Sequence, residues 1–133
     1  MDPVPQRDLM LGWIEQISRL VSALLEGPSP DLAEASDKID AAMAQHLGNL
    51  LPLIPQLDVA TASALLSEPE RIFGYAQLLS AQAAVVAAQG DDSAPAINAR
   101  AVAFARVALA RATDPPASWR AWIEDVEGAS RPS

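Results

Sequence analysis

Cysteine is absent from the 133-residue chain, and histidine occurs once, as His46. The lack of thiols excludes disulfides, thiolate metal sites and cysteine nucleophiles, and a single histidine excludes a histidine-rich metal site. Basic residues are also scarce, with nine Lys and Arg against seventeen Asp and Glu. The net charge of -8 repels phosphate backbones and anionic lipid headgroups, so we expect neither nucleic acid nor a membrane as a partner.

Motifs for catalysis and for targeting are missing as well. The sequence contains no P-loop, dinucleotide-binding glycine pattern, Gly-x-Ser-x-Gly elbow or HExxH motif. Met1 to Asp8 lacks the features of a secretory signal, and the least charged stretch, Ile72 to Gly90, is interrupted by glutamines and Ser80. We therefore expect a cytoplasmic protein that is not an enzyme and holds no cofactor.

What the sequence does contain is helical periodicity. Half of the residues are hydrophobic, and their spacing follows the helical repeat, with no stretch that alternates like a strand. The length fits one domain over residues 1–133, with 7–127 as the folded core and loose termini at 1–6 and 128–133. The predicted fold class is all-α, a compact bundle of about six helices.

Capping residues set the expected helix boundaries. Asp58 is expected to cap a short helix, and Ser67 with Glu70 forms a capping box that opens a longer one. The segment between Leu50 and Leu57 contains two prolines and is expected to be a buried connector. The predicted helices are Leu9 to Leu25, Asp31 to Leu47, Asp58 to Leu66, Ser67 to Gln89, Ser93 to about Thr113, and Ala117 to Glu127, which Gly128 ends.

The two longest helices are rich in alanine and apolar on most of their circumference. A short connection at Gly90 to Ser93 predicts that they form a long central antiparallel hairpin, covered by the outer helices.

This central pattern resembles the helical hairpins of the tetratricopeptide-like (TPR-like) superfamily. The residues that carry the resemblance are Tyr75, Ala76, Leu79, Ala83, Gly90, Asp91, Arg100, Ala101, Phe104 and Ala108. The N-terminal part is similar to the start of a small bacterial family of unknown function, through Arg7, Asp8, Trp13, Ile14, Glu15, Leu24, Leu25, Gly27, Ile39, Asp40, Ala41, Leu47 and Gly48. Together the two cover about residues 7–110 and imply a helical module that binds a partner, without assigning a role to any residue.

Two groups of polar residues have ordinary structural interpretations. His46, near a helix C-terminus, is expected to be structural, because catalysis would need the fold to bring an acidic residue to it. Asp31, Glu34, Asp37 and Asp40 share one helical arc without the glycine and carbonyl pattern of a calcium loop. We expect this arc to be a solvated face and no metal to bind.

Candidate binding residues occur on the last two helices. Arg100, Arg106 and Arg111, with Phe104, could hold a carboxylate, a phosphate or an acidic peptide, although pairing with the protein's own acids is the simpler expectation. Trp119 and Trp122 could form a protein interface or dock the last helix internally. Leu11, on the polar side of the first predicted helix, leaves apolar area for self-association.

Three functions remain open at this point. The first is a non-enzymatic module that binds another protein or itself, for example as a homodimer, through an apolar groove or the tryptophan-bearing helix. The second is an acidic regulator, immunity protein or chaperone that masks a basic partner. The third is a protein that binds a small molecule in a pocket between helices.

Overall fold

In the computed structural model of the protein, the described residues are 19 and 32–130, with side chains described to residue 128. This part of the chain contains five α-helices and no strand, so the all-α prediction is confirmed for it. The helices are α1 (Leu32–Leu47), α2 (Val59–Leu66), α3 (Pro69–Ala88), α4 (Ala94–Arg111) and α5 (Ala117–Ser130). The predicted helix from Leu9 to Leu25, which includes Leu11, lies outside the described residues apart from Arg19, which is helical.

Three predicted boundaries are confirmed. Asp58 caps α2 by accepting a hydrogen bond from the Thr61 N–H at 3.3 Å. Gly90 ends α3 with a φ of 81°, and the Asp91 N–H donates to the Val86 carbonyl at 2.9 Å, as in a Schellman motif. Gly48 follows α1 with a φ of 56°, a backbone conformation that favours glycine.

The prediction of a capping box at Ser67 is wrong. The N-cap of α3 is Glu68, Pro69 occupies the first turn, and no side chain caps the helix. Ser67 instead ends α2 with a φ of 69° and a ψ of -62°, and the Glu68 N–H donates to the Leu66 carbonyl at 2.9 Å. These values define a tight γ-turn. Since only two residues separate α2 from α3, Ser67 is needed to turn the chain and cannot take the extended backbone of an N-cap.

The prediction that Gly128 ends the last helix is also wrong, because α5 continues to Ser130. The φ of Gly128 is not in the left-handed range, so this glycine does not act as a C-terminal stop.

The core is built around α3. All residues from Ile72 to Leu79 are buried, which covers the full circumference of that helix. α3 packs most extensively against α4, and α1 covers another side of α3. α5 packs on α4, and α2 contacts both central helices. With a connection of only five residues, α3 and α4 run antiparallel, and the alanines in both helices allow their axes to approach closely.

The connector between α1 and α2 consists of two short 3-10 turns, Gly48–Leu50 and Ile54–Gln56. Its predicted burial holds for Ile54, which is fully buried, but Leu53 is 49% exposed. Within the described part of the chain, no helix is long and apolar enough to cross a membrane.

Candidate functional site

Arg100 lies on α4, and its guanidinium is fixed by contacts with the connector. Nη2 donates hydrogen bonds to the carbonyls of Ile54 at 3.1 Å and of Leu57 at 2.8 Å. The guanidinium carbon also lies 5.0 Å from the centre of the Phe104 ring, one turn further along the same helix. Arg100 is therefore a half-buried cation in a defined position.

Tyr75 on α3 lies next to this cation. Its ring packs edge to face against Phe104, with 5.0 Å between ring centres and 81° between planes, and Tyr75 is only 2% exposed. Burial raises the pKa of Tyr75, and the charge of Arg100 and its hydrogen bond to the hydroxyl oppose this rise. The hydroxyl and the guanidinium thus form one polar pair in an otherwise apolar region.

A groove of about 370 Å³ opens over this pair, between α1, the connector, α3 and α4. Its walls are mostly apolar and are formed by Met43, Leu47, Leu51 and Leu79. The lining is completed by Tyr75, Arg100, Pro55, Gln82 and Asp40. We call this feature the Arg100 groove. Apolar walls with a few fixed polar groups are typical of a binding site.

Neutral groups hold Arg100 in the part of the chain that the structure describes. Among the described residues its partners are two backbone carbonyls, Tyr75 and Phe104, and no carboxylate forms an ion pair with it. These neutral partners satisfy hydrogen bonds without cancelling the positive charge. Two acids act on the region from further away, since Asp58 interacts with Arg100 electrostatically and the exposed Asp40 lines the groove. The groove therefore combines mostly apolar walls with a guanidinium that forms no ion pair with any described carboxylate.

The other predicted members of the arginine group are separate from the groove. Arg106 is exposed and forms an ion pair with Glu127 on α5, in line with the simpler expectation for this residue. Arg111 is exposed, and its Nη1 donates to the carbonyl of Ser63 at 3.2 Å. Phe104 is fully buried and supports the Arg100 guanidinium from beneath.

Arg111 borders a second cleft of about 420 Å³, between the start of α3 and the loop from Ala112 to Pro116. Glu70, Asp114 and Trp119 also line it. Two carboxylates line this cleft with one arginine, so its charged lining is acidic on balance.

The two tryptophans of α5 pack on Phe73 of α3. Trp119 is stacked on Phe73, with 4.4 Å between ring centres and planes 7° apart. Trp122 meets the same ring edge to face at 5.3 Å. Trp119 is 2% exposed and Trp122 is half-buried, so the pair docks α5 internally and little of its surface is available to a partner.

His46 is placed near the C-terminus of α1, as expected, but its partner is not an acid. Nε2 donates to the carbonyl of Arg71 at 2.8 Å, and Nη2 of Arg71 donates to the carbonyls of His46 at 3.4 Å and Leu47 at 3.3 Å. Burial of the ring, together with the nearby charge of Arg71, lowers the pKa of His46, although the hydrogen bond opposes this. The ring lies against Gly74, which has no side chain. This arrangement joins α1 to α3, and no described carboxylate contacts the imidazole.

The acidic arc of α1 is solvated where it is described. Glu34, Asp37 and Asp40 are exposed, and Glu34 forms an ion pair with Lys38 at 3.1 Å, while Asp31 lies outside the described residues. No group of three or more metal-ligating side chains occurs among the residues described.

Sequence reasoning missed Tyr75 and Arg71 as polar contacts, and it missed the exposed leucines Leu53 and Leu65. Tyr75 is the only tyrosine of the chain and stands on an apolar helix, a signal that could have marked it.

Comparison of the chain with protein-family models, with curated proteins and with solved structures found no match.

Proposed function

We propose that this protein is a non-enzymatic, cytoplasmic helical module that binds a segment of a partner protein in the Arg100 groove. The observation that carries the proposal is the groove itself, whose mostly apolar lining includes a fixed guanidinium that forms no ion pair within the described part of the chain. The resemblance of the central helices to TPR-like hairpins, which implies a helical module that binds a partner, supports the same function.

The groove is a better candidate than the tryptophan-bearing helix. Binding energy at interfaces depends on large apolar groups that are exposed before the partner arrives and buried afterwards. Trp119 is already buried against Phe73, so it has almost no area to contribute. Met43, Leu47 and Leu79 are buried to a similar degree, so the contact area of the groove comes from the half-buried Leu51, the exposed Pro55 and the Arg100 guanidinium.

The shape of the groove favours a chain segment over a small molecule. Small-molecule sites enclose most of the surface of their ligands. The Arg100 groove is partly open to solvent, and the exposed residues Asp40 and Pro55 belong to its lining. A peptide can place one or two side chains in such a groove while the rest of its chain continues into solvent.

A peptide library displayed with free C-termini tests the proposal. We expect selection on the full-length protein to recover sequences with a large apolar residue. Binding should disappear in Gln82→Trp, which fills the groove, and persist in Gln89→Trp, a matched control on the exposed end of the same helix. Selected peptides that bind Gln82→Trp as well as the unchanged protein would contradict the proposal, as would a selection that recovers no binders.

A second candidate function rests on the exposed acids of α1. Glu34, Asp37 and Asp40 on one solvated face, with a net charge of -8, suit an acidic regulator that masks a basic partner. Peptides selected for basic residues, with affinity that falls steeply as salt rises, would favour this function. Affinity unaffected by salt would exclude it.

A further inference from the structure

We infer that residues 48–67 form a strap that opens from the α3–α4 hairpin as one unit, and that the open state admits the partner segment to the Arg100 groove. The strap comprises the connector and α2, and we call its position in this structure closed. The opening is a property of the free protein, whereas the admission of a segment rests on the proposed function. The burial of the strap, its two ends and its attachment to α4 all favour such an opening.

The strap is weakly buried for its length. Four of its twenty residues are buried, namely Ile54, Ala62, Ser63 and Leu66. By comparison, eleven of the twenty residues of α3 are buried. The two large hydrophobic side chains that are exposed in the described part of the chain, Leu53 and Leu65, both lie on the strap. Few buried apolar contacts are typical of the parts of a protein that open at the lowest free energy.

Each end of the strap is a turn with a positive φ. Gly48, its first residue, has a φ of 56°, and Ser67, its last, has a φ of 69°. Just before the strap, Nη2 of Arg71 donates to the carbonyl of Leu47 at 3.3 Å and so joins the end of α1 to α3. The neighbouring helices are thus held together, while the two terminal turns can absorb changes in φ and ψ as hinge residues do.

Two arginines of α4 attach the strap to the hairpin through its carbonyl groups. Arg100 holds the connector, as described above, and Nη1 of Arg111 donates to the carbonyl of Ser63 at 3.2 Å. Asp58 of the strap adds an electrostatic attraction to Arg100. All of these groups form hydrogen bonds with water when the strap moves away, so their net contribution to the closed state is modest.

The Ser63 side chain favours the open state. The residue is fully buried, and its Oγ has no hydrogen-bond partner among the described residues. A buried hydroxyl without a partner costs free energy, and this cost disappears when the hydroxyl reaches water. Ser63 therefore lowers the free energy that is needed to open the strap.

Opening of the strap changes access to the Arg100 groove. Three of its apolar lining residues are only 1–8% exposed in the closed state, namely Met43, Leu47 and Leu79. Leu51 and Pro55 of the lining belong to the strap and move with it. The same movement releases Nη2 of Arg100 from two carbonyls. A partner segment thus gains contact with the apolar lining and the guanidinium together when the strap is open.

Native-state hydrogen exchange, followed by NMR on the full-length protein, tests the opening. The amides of Leu57, Ala62 and Ser67 donate to carbonyls within the strap and therefore report on it. We expect these amides to exchange through one shared opening. That opening should be at least about tenfold more frequent than the openings that expose the amides of Leu78 in α3 and Ala105 in α4.

Two pairs of variants show whether the strap opens as one unit. Arg111→Met removes a contact with α2, and it should accelerate exchange of all three strap amides by the same factor, about fivefold. Arg106→Met, on the same helix but paired with Glu127, should leave them unchanged. Ser63→Ala removes the buried hydroxyl and should slow all three by about fivefold, whereas Ser80→Ala on α3 should have no effect on them.

Arg111→Met and Ser63→Ala also test the admission, because neither residue lines the Arg100 groove. When only a rare open state binds, the measured Kd equals the intrinsic Kd divided by the open fraction. A peptide from the selection described above should therefore bind Arg111→Met about fivefold more tightly than the unchanged protein, and Ser63→Ala about fivefold more weakly. Calorimetry measures the three Kd values.

The results separate the opening from the admission. Strap amides that exchange as rarely as those of the hairpin, or an Arg111→Met effect confined to the amides of α2, would overturn the opening. Altered exchange with an equal Kd in the three proteins would overturn the admission and leave the proposed function standing. A selection that recovers no binders would overturn the proposed function and the admission, while the exchange data still decide the opening.

Discussion

His46 and Arg71 each bind the backbone of the other. Nε2 of His46 donates to the Arg71 carbonyl at 2.8 Å, and Nη2 of Arg71 donates to the His46 carbonyl at 3.4 Å. The paired contacts hold the last turn of α1 against the first turn of α3 and press the imidazole onto Gly74. A Cβ atom at Gly74 would lie 2.7 Å from Cε1 of His46.

Gly74→Ala should therefore destabilise the protein although alanine is the better helix former. Overpacking a core position costs about 1–3 kcal/mol, while the gain in helix propensity is about 1 kcal/mol. In a His46→Ala background the clash is gone, so the same substitution should raise the free energy of unfolding by about 0.5–1 kcal/mol. Urea denaturation of the four proteins of this double-mutant cycle measures the coupling.

Gly128→Ala is the control, because nothing lies within 4 Å of a Cβ atom built at that helical glycine. It should stabilise α5 by up to about 1 kcal/mol in either background. An effect of Gly74→Ala that is the same with and without His46 would contradict the close contact.

The stability of the protein should also fall as pH is lowered through the range of this histidine. The pKa of His46 is lowered in the folded protein by burial, so the unfolded chain binds the proton more readily. The contribution of His46 to the free energy of unfolding is therefore complete above the ordinary histidine pKa of about 6.5, and it decreases as pH falls below that value. Urea denaturation at pH 7.5 and at pH 5 checks this.

His46→Gln provides the reference for the pH measurement, because His46 is the only histidine and glutamine does not titrate. The variant should lose most of the change between the two pH values. Asp58 and Asp91, whose pKa values are lowered by hydrogen bonds to Thr61 and Ser93, contribute only at more acidic pH. A pH dependence that is unchanged in His46→Gln would rule out His46 as its source.

Ser67→Gly should stabilise the protein. Ser67 has a φ of 69°, in the region that favours glycine, within a γ-turn that is strained for other residues. Relief of this strain, about 1–3 kcal/mol, exceeds the entropic cost of a glycine in the unfolded chain, about 0.5–1 kcal/mol. Thermal unfolding measures the difference, and Ser80→Gly, within α3, should instead destabilise by about 1 kcal/mol. A loss of stability in Ser67→Gly would show that the turn is not strained.

Arg100 and Arg106 lie on the same helix and should differ in their effect on stability. Arg100→Met leaves the carbonyls of Ile54 and Leu57 without their donor and should cost about 2–3 kcal/mol. Arg106→Met removes an exposed ion pair with Glu127 and should cost less than about 1 kcal/mol. Urea denaturation under one set of conditions compares the two, and equal costs would contradict the role of Arg100 in holding the connector.

Local signals predicted the helices well because they act over a few residues. The Asp58 cap, the Gly90 stop and the proline-containing connector depend on backbone geometry that the neighbouring residues determine. The capping motif at Ser67 gave a wrong prediction because the short link between α2 and α3 determines the backbone there. The glycine stop at Gly128 gave a wrong prediction because the packed helix continues through that residue. Both failures involve constraints from outside the local sequence.

The candidate site was predictable only in part. The sequence singled out Arg100 and Phe104, which lie one turn apart on α4; Arg100 lines the groove, and its guanidinium packs over the buried Phe104 ring. It could not show that Arg100 binds the carbonyls of Ile54 and Leu57, because backbone acceptors carry no sequence signal. Whether an arginine meets an acid, as Arg106 does, or a carbonyl depends on tertiary packing.

The most direct measurement is the location of a bound peptide by intermolecular nuclear Overhauser effects. In a complex of the isotope-labelled protein with a peptide selected from the library, the large apolar side chain of the peptide should show effects to the Met43 methyl group and the Tyr75 ring, which line the Arg100 groove. Effects that connect the peptide to Leu53 and Leu65, with none to Met43 or Tyr75, would place binding on another surface and contradict the groove as the functional site.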